Sequence, residues 1–314
     1  MIRERLIGRK AVMGALAALS LVFSTGQTLA AETALAQAEA TYVGEKACIS
    51  CHEAENNNFT HTVHAKVFRE NPKNDKEKLV CEACHGPGSL HAKKTKDHSL
   101  LIGFTKTWGT PVAKSNAQCL TCHDGGNRIN WDGSIHQTKK LACSDCHNPM
   151  AKFSANGLLK KPSITETCQT CHQQQRAEFK KKSHMPVPEG KMSCEDCHNP
   201  HGSTAPRLWK ADSVNDLCYT CHAEKRGPFL WEHAPVRENC LNCHVPHGSV
   251  NDKLLKQSRP LLCTSCHDNT TAMGQTWRHG ADSGAAIQTR GRSCQNCHSQ
   301  IHGSNAPDGM RFRR

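Results

Sequence analysis

The chain has 314 residues and a formal net charge of +12, and hydrophobic residues make up 37% of it while aromatic residues make up only 5%. This apolar content is low for a globular domain of such length, and it excludes a large core built from side chains alone. The basic excess would by itself favour a nucleic-acid interface, but the 20 cysteines of the chain indicate a different class of protein.

The first 30 residues have the pattern of a secretory signal peptide. An apolar run, Ala11 to Ser24, follows a basic start and is too short for a transmembrane helix. We expect cleavage after Ala30, with Ala36 as the second choice, and a flexible leader over residues 31–46. Removing the signal takes away four basic residues and one acidic residue, so the formal charge falls from +12 to +9. The sequence therefore predicts an exported, periplasmic protein.

A C-x-x-C-H box, the attachment signature of haem c, recurs through the rest of the chain. The two thiols bind the haem vinyl groups, and the histidine is the proximal iron ligand. Structural zinc would not explain a histidine after every second cysteine. Ten boxes use all 20 cysteines and predict ten covalent haems: Cys48-Cys51-His52, Cys81-Cys84-His85, Cys119-Cys122-His123, Cys143-Cys146-His147, Cys168-Cys171-His172, Cys194-Cys197-His198, Cys218-Cys221-His222, Cys240-Cys243-His244, Cys263-Cys266-His267 and Cys294-Cys297-His298.

Nine further histidines lie in phase with the boxes and are candidate distal ligands. After the odd boxes, a histidine follows 11 to 13 residues later, usually just behind an aromatic residue: His64, His136, His184, His233 and His279. After the even boxes, it follows within six residues: His91, His201, His247 and His302. A lone histidine is often only a surface or core imidazole, but nine in phase with ten boxes favour axial ligation.

Box four differs from the other even boxes, because Met150 occupies the position where a phased histidine is expected. One haem is therefore short of a histidine, and its ligand is one of His98, His61 and Met150. We rank the two histidines before the methionine. From chain reach we also expect His184 to ligate the haem of box six, and His201 that of a neighbouring odd box.

The predicted fold is a multihaem cytochrome c, in which a mostly irregular chain with short α-helices wraps around a linear array of ten haems. Little or no β-sheet is expected. Short helices are predicted at Thr165–Gln175, Asn215–Lys225 and Arg259–Asn269, each carrying a box. The haem propionates would neutralise the lysines and arginines, so no nucleic-acid partner is expected. We divide the mature chain into pentahaem halves, 47–172 and 173–303, and a basic tail, 304–314.

The sequence resembles the periplasmic decahaem cytochromes of the MtrA/MtoA/PioA and DmsE group. The resemblance lies in the ten boxes, the Cys-His-Gly-Pro-Gly-Ser-x-His run at Cys84–His91, the Cys-His-Asp-Gly-Gly run at Cys122–Gly126 and the Pro-His-Gly turns. It implies a haem chain partly enclosed in a porin-like β-barrel of the outer membrane. It also implies electron exchange with a periplasmic or inner-membrane cytochrome on one side, and with extracellular iron, minerals, a cytochrome or a reductase on the other.

Two other functions remain open from the sequence. One is a soluble periplasmic electron shuttle. The other is a multihaem reductase of nitrogen or sulfur oxyanions, which would need a haem with an open iron position. The chain has no C-x-x-C-K box, and Tyr42 and Tyr219 are its only tyrosines. We therefore expect an electron carrier and not an enzyme.

Overall fold

The computed structural model describes residues 39–267, 294–296 and 298–313. The α-helices of this part are short: α1 Glu45–Ile49, α2 Glu53–Thr60, α3 Val63–Glu70, α4 Asp75–Lys78, α5 Glu82–His85, α6 Ser89–Lys93, α7 Val112–Leu120, α8 Ile135–Thr138, α9 Cys143–Cys146, α10 Ile164–Gln169, α11 Gln173–Glu178, α12 Val214–Tyr219, α13 Ala234–Glu238 and α14 Arg259–Thr264. Single 3-10 turns lie between them at His98–Leu100, Lys106–Trp108, Gly126–Arg128, Cys194–Asp196, Pro206–Leu208, Ala223–Lys225, Cys240–Asn242, Asp252–Leu254, Cys294–Asn296 and Gly309–Arg311.

The boxes themselves explain why the helices are short. Helix α10 starts at a capping box, in which Ser163 and Glu166 each accept the other's backbone N–H. It ends one residue after the first cysteine of its box, because the box histidine, His172, has a non-helical backbone with φ −85° and ψ 64°. The predicted helix Thr165–Gln175 is therefore two helices, α10 and α11, separated by the box.

The other two predicted helices are also shorter than expected, and in box seven the histidine, His222, again has a non-helical backbone with φ −107° and ψ 49°. Asn215–Lys225 is helix α12 followed by the 3-10 turn Ala223–Lys225, and Arg259–Asn269 is helix α14, which stops at Thr264. Residues 268 and 269 lie outside the described residues.

In the described residues, β-type pairing of the backbone consists of isolated bridges only. This agrees with the prediction of little or no sheet. Three of these bridges define an even-box loop that is repeated after boxes four, six and eight. In each loop the box histidine bridges a residue 11 or 12 positions later, in the pairs His147 with Leu159, His198 with Trp209 and His244 with Leu255. Each loop turns back through left-handed residues, which are Leu158, Arg207, Leu208, Lys253 and Leu254.

The side-chain core is small. Among the described residues, no large side chain is more than 98% buried. One apolar cluster consists of Phe59, Ala65 and Val80. The aromatic residues Trp131 and Phe179, which precede phased histidines, are also buried. Little apolar surface is thus removed from water by the chain itself, which agrees with a core completed by cofactors.

The chain divides into two compact units. The first comprises residues up to Asp124 together with Lys140–Lys160, and the second comprises Gly125–Lys139 together with the residues from Lys161 onward. The first unit therefore carries boxes one to four, and the second carries boxes five to ten. The predicted pentahaem halves concern the grouping of the haems, and they stay a prediction.

No helix in the described ranges has the length and apolar character needed to cross a lipid bilayer.

Candidate haem-binding sites

The cysteines of the boxes are placed where a haem could reach them. No disulfide joins the 19 cysteines that the structure describes, and each of them is exposed or half-exposed. Cys297 of box ten lies outside the described residues. At an odd box such as box five, the N–H of His172 donates to the carbonyl of Cys168 at 3.1 Å, so the box is wound into one turn. That turn brings both thiols and the imidazole to one side of the chain.

The proximal histidines of the even boxes are held in the tautomer that binds iron. In the even-box loops, Nδ1 of His147, His198 and His244 donates to a backbone carbonyl oxygen at 2.6, 2.9 and 2.9 Å. In box two, Nδ1 of His85 donates to the carbonyl of Ile102 at 2.9 Å. A carbonyl can only accept, so Nδ1 carries the proton and Nε2 keeps its lone pair for a metal.

Six box histidines lie opposite a phased histidine at the spacing that a haem iron requires. An iron about 2 Å from each imidazole nitrogen separates the two ring centres by roughly 6 Å. The ring centres are 5.9 to 6.3 Å apart, in the pairs His52–His91 (6.3 Å), His64–His123 (5.9 Å), His136–His172 (6.2 Å), His198–His247 (6.3 Å), His233–His267 (6.1 Å) and His244–His302 (6.2 Å). The residues therefore fit haem iron with two histidine ligands.

Burial keeps several of these imidazoles in the neutral form that can bind a metal. Burial, and after it the charge of Lys225, lowers the pKa of His302 to about 4. Burial also lowers the pKa of His64, and the neighbouring His123 adds to that effect. The Nδ1 atoms of His64, His91 and His267 are buried without a hydrogen-bond partner.

Five of the six pairs follow a regular order along the chain, whereas His52 of box one faces His91, which follows box two. The histidine after an odd box faces the box histidine of the next odd box, as His64 faces His123 and His136 faces His172. Among the even boxes the order is reversed, because His198 of box six faces His247, which follows box eight. The prediction that His184 ligates the haem of box six is therefore wrong. Chain reach favoured a ligand ten residues away, whereas the fold supplies one from a later box.

Two further predicted ligands, His184 and His201, make hydrogen bonds. His184 makes two hydrogen bonds, Nδ1 to the carbonyl of Lys181 at 2.7 Å and Nε2 to Oε1 of Glu189 at 2.9 Å. His201 is half-buried, and its backbone N–H donates to Asn199. His279 lies outside the described residues. The ligand roles of these residues, and of the box histidines His85, His147, His222 and His298, stay predictions.

The first cysteines of boxes one and two, three and four, and so on to nine and ten lie near each other. In each of these five doublets one thiol shifts the pKa of the other: Cys48 with Cys81, Cys119 with Cys143, Cys168 with Cys194, Cys218 with Cys240 and Cys263 with Cys294. The bond from Cys168 lowers the pKa of the Cys194 thiol to about 7. Haems attached to the two boxes of a doublet are therefore neighbours, which is the condition for electron exchange between them.

Polar residues three positions before a box hold the doublets together, and the sequence analysis did not identify them. The amide of Asn215 donates to the carbonyls of Val236 and Arg237 at 2.9 Å and accepts the N–H of Cys240 at 2.8 Å. Asn116 makes the equivalent bonds to Leu141 and Cys143. In the doublet of boxes five and six, Thr165 donates to Cys194 instead. A buried amide at a constant offset from a box is the signal that would have revealed this role.

Asn215→Ala should weaken the doublet of boxes seven and eight. The change removes the donor to the carbonyls of Val236 and Arg237 and the acceptor of the Cys240 N–H. An unpaired buried group costs about 1–3 kcal/mol. Denaturant unfolding of the haem-loaded protein measures the loss. Asn57→Ala, at an exposed position of helix α2, is the control and should be close to neutral. Equal stability of the two variants would contradict the role given to Asn215.

Comparison with known proteins points to multihaem cytochromes. A family model described as a doubled CXXCH motif matches residues 184–227 and 233–272, and one described as a cytochrome c-type NrfB-like protein matches residues 81–161. The multiheme cytochrome MtrA of Shewanella baltica (strain OS185) is 41% identical over 278 residues, which cover 86% of this chain and 81% of that protein. The C-type polyheme cytochrome OmcC of Geobacter sulfurreducens is 26% identical over 189 residues, which cover 48% of this chain and 23% of that protein.

Proposed function

The chain belongs to the family of multihaem c-type cytochromes that includes MtrA, and from this we propose that it is a decahaem conductor of electrons across the outer membrane. In this proposal the protein is exported to the periplasm and works inside a porin-like β-barrel partner. It exchanges electrons with a periplasmic or inner-membrane cytochrome and with an acceptor or donor outside the cell, such as iron, a mineral or an external cytochrome or reductase.

The observation that carries the proposal is the set of six histidine pairs at iron spacing. An iron held by two histidines has no open position for a substrate, so such a site exchanges electrons and does not transform a bound molecule. Haem c, when bound, supplies one-electron redox chemistry. The chain fixes the attachment points, holds the imidazoles neutral and keeps consecutive boxes in contact.

The number of sites and the character of the backbone support a conductor more than a carrier. Ten boxes exceed what a one-electron shuttle needs, but they suit transfer over a distance comparable to a hydrocarbon core about 30 Å thick. The described chain is largely irregular. Irregular backbone is tolerated at membrane depth only where another protein shields it from lipid, which is the task we assign to the barrel.

Liposomes loaded with a redox dye test this function. With the barrel and the haem-loaded cytochrome together in the membrane, an external reductant or oxidant should change the dye. Liposomes that contain the barrel alone, or the cytochrome alone, should stay at background. Intact mass must first show ten haems on the mature protein, since nine or fewer would refute the proposed load.

A variant that cannot attach the haem of box six is the matched control for the liposome test. The double change Cys194→Ala with Cys197→Ala removes the attachment points of box six and should bring transfer down to background with the barrel still present. Dye reduction that is the same without the barrel, or absent with it, would overturn the conductor and favour the periplasmic shuttle.

A further inference from the structure

The position of Met150 in its loop is the same as that of a phased histidine. The backbone N–H of Met150 donates to Oδ1 of Asn148 at 3.1 Å, and that of His201 donates to Oδ1 of Asn199 at 3.2 Å. Both residues lie three positions after the histidine of their box. The two even-box loops thus present Met150 and His201 from equivalent backbone positions.

The order of the even pairs shows which box Met150 would serve. His198 of box six faces the histidine that follows box eight, and His244 of box eight faces His302, which follows box ten. Boxes six and eight therefore each take their second ligand from the loop after the next even box. By the same order, box two takes its second ligand from the loop after box four, and Met150 occupies that position.

Met150 and the first cysteine of box two pack against the same apolar cluster. Met150 and Cys81 both pack, partly buried, against the cluster of Phe59, Ala65 and Val80. The methionine side chain thus shares its apolar surroundings with a haem attachment point of the box that the pairing order assigns to it.

Met150 is less exposed than the two other candidate ligands, His61 and His98. All eight phased histidines in the described part of the chain are half-buried, and so is Met150. His61 and His98 are exposed instead. His61 caps the end of helix α2. The ring of His98 lies 4.9 Å from that of Trp108 and 6.4 Å from that of His91, which itself faces His52. Met150 alone among the three candidates is half-buried, as the phased histidines are.

We propose that Sδ of Met150 is the sixth ligand of the haem iron bound by Cys81, Cys84 and His85. This haem then has histidine–methionine coordination in a chain whose other observed pairs are histidine–histidine. A thioether ligand favours ferrous iron and raises the reduction potential. The haem of box two is therefore the most oxidising site of the chain. The inference rests on haem attachment alone, and not on the membrane partner.

Optical and redox measurements on the purified haem-loaded protein test the assignment. The ferric protein should show a methionine–iron charge-transfer band at the red edge of the visible spectrum, with the intensity of one haem in ten. In a potentiometric titration, one haem in ten should reduce before the rest. Met150→His should abolish the band and move that step toward the others. Met150→Leu should instead give one high-spin haem.

Control measurements show whether a spectral change comes from the loss of the proposed ligand. Haem content by mass should be unchanged in both variants, and Met310→Leu, at a site 73% exposed, should keep the band. A wild-type protein without the band would overturn the assignment, as would a band that persists in Met150→His. A high-spin haem in His98→Ala or His61→Ala, together with an all-low-spin Met150→Leu, would assign the ligand to that histidine. The spectra need no membrane, so a failure of the liposome transfer would not alter them.

Discussion

Gly248→Ala is expected to destabilise the second unit by more than about 4 kcal/mol, which is among the largest costs of a single substitution. A β-carbon at Gly248 would lie 2.0 Å from the backbone oxygen of Glu178 and 2.7 Å from its carbonyl carbon. Both contacts are with backbone at the end of helix α11, so no side-chain rotation can relieve them. The turn that carries His247 and the end of this helix would have to separate.

The same change should also be visible at a haem. His247 faces His198 at 6.3 Å and packs 5.5 Å from Phe179, so a displaced turn withdraws the second ligand of box six. We expect one high-spin haem in the absorption spectrum of the variant, in addition to a lower midpoint of denaturant unfolding.

Gly190→Ala is the matched control for this prediction. Gly190 has φ +69°, and a β-carbon there would meet no atom within 4 Å. The loss of stability in Gly190→Ala is then only that of placing a side chain on a left-handed residue, about 1–2 kcal/mol. All haems should stay low-spin. If the two variants were equally stable, the close approach at Gly248 would not matter to the fold.

Glu82→Ala is expected to have the second largest effect, about 3–5 kcal/mol, because it leaves three N–H groups without their acceptor, and the bond from Gly88 is buried. The carboxylate of Glu82 is 3% exposed. It accepts the N–H groups of Val43 at 3.0 Å, Gly44 at 2.9 Å and Gly88 at 2.8 Å. One side chain thus fastens the segment before box one to the turn that leads into helix α6.

The released segment offers a direct measurement of the Glu82 effect. Trypsin should cleave Glu82→Ala at Lys46 much faster than it cleaves the unchanged protein, because the chain before Lys46 loses its anchor. Glu82→Gln keeps one acceptor oxygen and should fall between the two. Glu53→Ala, at an exposed position of helix α2, is the control. Cleavage of Glu82→Ala at the control rate would show that the segment is held by other contacts.

The sequence predicted the local chemistry of the sites better than their pairing. The spacing of cysteines and histidines alone identified every box and every phased histidine. The composition and the close succession of boxes predicted little or no β-sheet. The helix boundaries were too long at Thr165–Gln175, because the box turn interrupts the helix at His172. The partner of His198 could not be found from chain reach, since it depends on how distant boxes pack. The structural role of Asn215 was missed for the same reason, because its acceptors lie 21 and 22 residues away.

The proximity of the two thiols of a doublet also restricts the order in which the protein can be made. In the oxidising periplasm to which the proposed function assigns the protein, two neighbouring thiols, such as Cys218 and Cys240, are readily joined as a disulfide. A cross-link of this kind would remove one attachment point from each of two boxes. A nascent chain that adopted its final fold before receiving haem would therefore trap itself in an inactive form. Haem must be attached while the boxes are still apart, or the thiols must be kept reduced until it is.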